Sequence, residues 1–275
     1  MEATLVATIA RKEVRDSLRN RWFLLYATAF AVLAIAVSWI SIAGTGAYGF
    51  AGYGRTAAGL VNLVLLVVPL MALTLGGASI AADAERGTLA YVLAQPVDRS
   101  EVLLGKYLGL AAALVGALSV GFAISAAVLG AAGGGDVTSY FALVALTFVL
   151  ALAMLSVGFL ISVLSGKASV ATGVALFAWL GLAFLSDLGL MGSAIAFRLH
   201  VSDLFGLALL HPLQVFKMAV LGSVHASLDV LGPAGLYATQ THGKALPFLF
   251  AGALAAWVVL PLGLAGAIFV RRGTS

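Results

Sequence analysis

Apolar residues run along this chain in stretches too long for a soluble helix and too continuous for a half-buried strand. Six of them, Trp22–Ala43, Ala57–Ala82, Leu103–Leu129, Tyr140–Leu164, Val170–Met191 and Leu246–Val270, reach the length of about 20 mostly apolar residues that a helix needs to cross a bilayer. Short alternating segments, the mark of an outer-membrane barrel, are not what the pattern offers. The expectation is an all-α, polytopic membrane protein with six transmembrane helices, forming one membrane domain over residues 1–275. Three more polar pieces interrupt the runs: residues 1–21, residues 83–102 and residues 192–245.

Each of these pieces has its own pattern. In the first, Leu5, Ile9, Val14 and Leu18 drift along one helical face while Arg11, Lys12, Glu13, Arg15, Asp16 and Arg19 fill the rest. That is the form of an interfacial helix lying among headgroups. In the second, Leu89, Val92 and Leu93 recur at i, i+3 and i+4, predicting a short amphipathic helix from Thr88 to Ala94. Pro96 ends it, because the residue before a proline is pushed out of the helical region. Asp98 with Glu101 three residues on predicts a capping-box start for the third span, and Lys106 is expected to snorkel to headgroups. In the third, Ser202–Leu210 and Pro212–Leu221 read as short amphipathic helices at the outer surface, with Pro212 opening the second of them.

Composition agrees with a bilayer environment. Only 9% of residues are charged and 62% are hydrophobic, against roughly a quarter charged in a soluble domain, which excludes a water-soluble enzyme and a disordered chain alike. No cysteine is present, so disulfides, thiolate metal sites and a cysteine nucleophile are excluded. The basic residues set the orientation. With the N-terminus inside, Arg11, Lys12, Arg15, Arg19, Arg21, Arg86, Arg99, Lys106, Lys167, Arg271 and Arg272 are all inside, 11 of 15. Both termini, the 1–21 segment and the 83–102 loop are therefore expected to be cytoplasmic, and the 192–245 connection outside.

Candidate chemistry is sparse. Ser165-Gly166-Lys167-Ala168 lacks the upstream glycine and the following hydroxyl of a P-loop, so hydrolysis of ATP by this chain is not expected. The string Gly44-Thr45-Gly46-Ala47-Tyr48-Gly49 follows a membrane helix instead of a strand, which argues against a dinucleotide site. An intramembrane hydrolase would need a partnered aspartate or serine. Asp136 falls in a glycine-rich turn, and Ser79 has no histidine in a later span to act as base. Asp187 is the one acidic residue within an expected span clear of its ends, and it is a candidate for an outer gate or a dimer seam. His211 and His225 are weak metal candidates, since imidazole suits copper but the histidine spacings contain no i, i+4 pair.

The run Glu85-Arg86-Gly87-Thr88-Leu89, then Pro96-Val97, Arg99, Leu103, Gly105 and Lys106, resembles the signature of ABC-2 type transporter permeases, and the topology resembles theirs throughout. The resemblance implies that residues 83–102 hold a coupling helix docking on a separate ATP-hydrolysing subunit. Glu85, Gly87, Thr88, Leu89, Pro96, Arg99, Gly105 and Lys106 would be coupling residues, and Arg11, Lys12 and Glu13 part of an N-terminal lever. It implies a homodimer with two ATPase subunits that hold ATP and Mg, no cofactor in this chain and no nucleic acid, in a prokaryotic inner membrane. Leu18-Arg19-Asn20-Arg21-Trp22 and Asp187-Leu188-Gly189-Leu190-Met191-Gly192 are further similar to the membrane subunit of nitrous oxide reductase maturation systems, which work with a periplasmic solenoid protein during copper-site assembly. His211, Gln214 and Lys217 stand where that group has Asn, Asp and Arg. Outward export of cargo, with a small molecule or lipid as the alternative, and mechanical work on an outer partner are both open at this level.

Overall fold

A computed structural model describes residues 3–43, 50–131, 137–185, 200–223, 241 and 243–271, and the regular structure among them is entirely helical. In chain order the helices are α1 (Ala3–Ser17), α2 (Arg21–Ala43), α3 (Phe50–Glu85), α4 (Thr88–Leu93), α5 (Arg99–Ala131), α6 (Val137–Leu164), α7 (Ala168–Phe184), α8 (Val201–Leu210), α9 (Pro212–Ser223) and α10 (Leu246–Arg271). Five of them, α2, α3, α5, α6 and α10, are long and apolar enough to cross a membrane. The fifth expected span is represented by α7, whose 17 residues are apolar but shorter, and Met191 at its expected end lies outside the described residues.

The bundle is held by backbone contact where side chains are smallest. In a bilayer apolar side chains gain little by leaving lipid, so close packing and polar links between helices carry the association. α3 crosses α6 at Gly76 and Gly158. A Cβ on Gly76 would come within 2.7 Å of the Leu155 carbonyl oxygen, and one on Gly158 within 2.8 Å of that of Leu73. One turn on, the Ser162 hydroxyl oxygen accepts from the amides of Ile80 and Ala81 at 2.9 Å each. α7 lies on another side of α3, where Gly77 meets Ala171 and Ala175. Pro69 interrupts the ladder of α3, and the Trp179 indole of α7 donates to the carbonyl of Leu66 at 3.0 Å, serving backbone close to the break.

α2 is seated on α5 through Phe30, which meets Phe122 edge-on, and through a 2.8 Å contact between the hydroxyls of Ser38 and Ser125. α8 and α9 are bent by 107° at His211. The sequence has them lying at or dipping into the outer interface; in the fold Leu213, Val215, Phe216, Met218 and Val220 are buried, and α9 packs against α6 and α10. α8 is covered only in part: Phe205 and Ala208 are buried, while Leu207 and Leu210 are exposed. Pro212 does open its helix, while Gly222 lies inside it.

Candidate functional site

The basic end of the bundle gathers the start of α5, α7 and α2, the ends of α3, α6 and α10, and the whole of α1 and α4. α4 is the shortest of these, a helix of six residues between α3 and α5. Gly87 precedes it with φ of 73°, a left-handed turn that a side chain would strain, so α3 can stop and α4 restart within two residues. Thr88 then donates from its hydroxyl to both the carbonyl and the carboxylate of Asp83, each at 3.2 Å. At the far side Glu101 reaches back to accept from the Asp98 amide at 3.1 Å, the link that the Asp98–Glu101 spacing predicts.

The face that α4 presents is opposite to the one its pattern suggests. Leu89, Val92 and Leu93 are half-buried, and Leu89 packs against the main core. Facing outward are Thr88, Ala90, Ala94 and above all Tyr91, which is 74% exposed. The apolar stripe is thus the seat of the helix on the bundle. Tyr91 lies two residues after Leu89, about 200° around the helix, which puts it on the side away from Leu89.

Two of the motif residues flanking α4 bond to neighbouring helices. Glu85, the last residue of α3, accepts from the amide of Ala168, the first residue of α7, at 2.9 Å. Arg99 donates from Nη1 to the carbonyl of Phe269 in the last turn of α10 at 3.2 Å. A carboxylate at a helix N-terminus and a guanidinium at a C-terminus both complement the helix dipole. Pro96 is exposed just beyond α4.

Gly105 and Lys106 lie inside α5, behind the loop. Lys106 is only 4% exposed, and its ammonium meets Glu13 Oε1 at 2.6 Å and Asp83 Oδ2 at 2.7 Å. The expected snorkelling to headgroups is therefore corrected: two carboxylates turn the side chain inward. Glu13, read in the sequence as part of the polar side of α1, is 8% exposed and faces α5. α1 reaches that position because α5 offers glycines. Cβ atoms at Gly105 and Gly109 would come within 2.8 Å of Ile9 Cβ and 2.5 Å of the Ala10 carbonyl oxygen. Arg11 and Lys12 remain on the outer side of α1. Lys12 lies 3.2 Å from Asp16 and 3.4 Å from Glu13. Partial burial lowers its pKa, but those two carboxylates outweigh it and hold it above the usual lysine value.

Asp187 and His225 lie outside the described residues. His211 stands at the bend between α8 and α9 with both ring nitrogens turned from solvent. No group of three or more His, Asp or Glu placed to hold a metal occurs among the described residues.

A bundle of helices long and apolar enough to cross a bilayer, with one short helix between two of them, is that of a multi-pass membrane protein. The family model for ABC-2 family transporter proteins matches residues 7–274, and the chain belongs to that family of ABC transporter permeases. It is 34% identical over 276 residues to the "Probable ABC transporter permease protein NosY" of Stutzerimonas stutzeri, covering 98% of this chain and 99% of the relative. To the protein of the same name in Pseudomonas aeruginosa it is 31% identical over 282 residues, covering 98% of each.

Proposed function

We propose that this chain is the membrane subunit of an ABC transporter in which α4 is the coupling helix, gripped by a separate ATPase subunit. The single observation that supports this most is the convergence of bonds on its flanks. Glu85 reaches α7, Arg99 reaches α10, and Asp83 reaches α5 and through it α1. A force applied to the exposed face of α4 in this reading passes through the short connections on either side of it to these bonds and so to α7, α10, α5 and α1. In this reading the chain has six spans with both termini cytoplasmic and works as a homodimer with two ATPase subunits that carry ATP and Mg. Its place is the prokaryotic inner membrane.

The finer role proposed is in nitrous oxide reductase maturation, as export or as mechanical work on a periplasmic partner. The two NosY-named relatives over nearly the full length support it, as does the resemblance at residues 18–22 and 187–192. Two measurements test the two levels separately. The purified chain in lipid nanodiscs should bind the ATPase subunit and change its turnover; no association in any nucleotide state overturns the coupling reading. Deleting the gene in a nitrous-oxide-respiring host should leave nitrous oxide reductase without its assembled copper site. Normal copper loading in that strain removes the maturation role and leaves the permease reading standing.

A further inference from the structure

The Lys106 ion cluster has a cost that its position does not require. An ammonium and its carboxylates taken out of water lose hydration, and apolar residues of the same size often stabilise such a place as well or better. What an ion pair adds is geometry: it holds particular atoms at a particular separation. Here the atoms joined belong to four elements. Glu13 is on α1, Lys106 on α5 and Asp83 on α3, and the second oxygen of Asp83 accepts from Thr88, the first residue of α4. Each carboxylate also has an outer contact, Lys12 for Glu13 and Thr88 for Asp83, so the series runs from the surface of α1 to the base of α4 with Lys106 at its centre.

We propose that Lys106 is a positioning residue for energy transfer: through Asp83 and Glu13 it makes α1 follow the displacement of α4. This rests on the coupling reading above and adds a route to it. Removing the cation leaves the buried carboxylate of Glu13 and the partly exposed carboxylate of Asp83 without the ammonium that joins them, so like charges replace the link and α1 and the base of α4 separate. Asp83→Asn opens the α4 side alone, because Lys106 keeps Glu13 and α1 stays docked. Lys106→Arg keeps a cation that can reach both carboxylates and should restore most of the link.

The natural absence of cysteine makes the test direct. Spin labels are placed at Gln95 beyond α4, at Ala7 on the exposed side of α1 and at Phe141 on α6 as a fixed reference, in the full complex with its ATPase subunit in nanodiscs. On nucleotide binding, the Gln95–Phe141 and Ala7–Phe141 distances should both change in the otherwise native protein. In Lys106→Met and in Asp83→Asn the first change should remain and the second disappear. Stimulation of ATP turnover should fall roughly 5-fold or more, while affinity for the ATPase subunit is kept. Should Lys106→Met fail to assemble, Asp83→Asn gives the same reading. If Ala7 moves as before in both variants, or never moves while Gln95 does, the relay is overturned alone. If Gln95 stays still while nucleotide is hydrolysed, the coupling reading falls and the relay with it.

Discussion

The carboxylate of Glu85 accepts a 2.9 Å hydrogen bond from the backbone amide of Ala168, joining the last residue of α3 to the first of α7 across 83 positions of sequence. Lys167 before it has extended backbone and makes no side-chain cap of its own, so the cap of α7 comes from another helix. Replacing Glu85 by Ala should cost about 1 kcal/mol of stability, at the lower part of the range for helix caps because the residue is exposed. Glu85→Gln keeps an acceptor and should cost less; Glu85→Lys puts a cation at a positive helix end and should cost most. Because this side chain faces α7, ATPase binding should survive in all three while nucleotide-stimulated turnover falls in the same order. Loss of binding in Glu85→Gln would place the side chain on the docking surface instead.

Gly109 is the closest approach of α1 to α5. A Cβ there would lie 2.5 Å from the Ala10 carbonyl oxygen and 2.6 Å from Glu13 Cβ, and neither is the end of a flexible side chain. Gly109→Ala should therefore lift α1 and destabilise the chain by about 1–3 kcal/mol, the usual cost of overpacking. Trypsin, which cuts after the exposed Arg11, Lys12 and Arg15, reads the result as faster cleavage within α1. Gly116→Ala on the same helix meets nothing within 4 Å and should be neutral or stabilising by up to about 1 kcal/mol. Equal protease sensitivity in the two variants would remove the packing argument.

The difference between what the residues announced and what they hid follows from this end of the molecule. The long apolar runs gave the helices, since a bilayer demands continuous hydrophobicity of whatever crosses it. The extent of α4 also followed, from Gly87 on one side and Pro96 on the other. Orientation of faces did not. Patterning assigns Glu13 and Lys106 to solvent because isolated charges avoid burial, but the two satisfy each other, and that pairing across 93 positions leaves no periodic trace. In the same way the i, i+3, i+4 spacing of Leu89, Val92 and Leu93 gives an apolar stripe but not what lies against it. A short helix whose ends are tied down buries its apolar side on its own bundle first. The hairpin of α8 and α9 was hidden differently: its bend depends on where α6 and α10 leave room.

The inverted face of α4 makes a paired prediction. Tyr91 is outward and Leu89 inward, two residues apart on one helix of six. Aromatic anchors dominate protein interfaces, often at 2 kcal/mol or more, so Tyr91→Ala should weaken ATPase binding by roughly 30-fold with thermal stability unchanged. Leu89→Ala should do the reverse, lowering stability by about 1–2 kcal/mol as a half-buried leucine and leaving affinity within a few-fold. Titration of the ATPase subunit by surface plasmon resonance, alongside thermal unfolding in nanodiscs, separates the two. If Leu89→Ala abolishes binding and Tyr91→Ala does not, the docking face is the apolar stripe after all.

Arg99 gives the test of the opposite flank. Its Nη1 donates to the carbonyl of Phe269 at 3.2 Å, within the final turn of α10, where the carbonyls have no partner further along the helix. Arg271 lies in that turn, and the guanidinium of Arg99 arrives from another helix to add positive charge at the negative end of α10. Arg99→Ala should free that turn, raising amide hydrogen exchange at residues 268–271 by roughly tenfold for a loss of about 1.4 kcal/mol of local protection. Arg99→Lys should recover only part of it, because an ammonium lacks the planar fork that spans the gap from α5. Tyr91→Ala, which touches only the outward face of α4, should leave exchange at α10 unchanged. Unaltered protection of residues 268–271 in Arg99→Ala would mean that the end of α10 is held by packing without this bond, and that motion of the loop does not reach the last span through it.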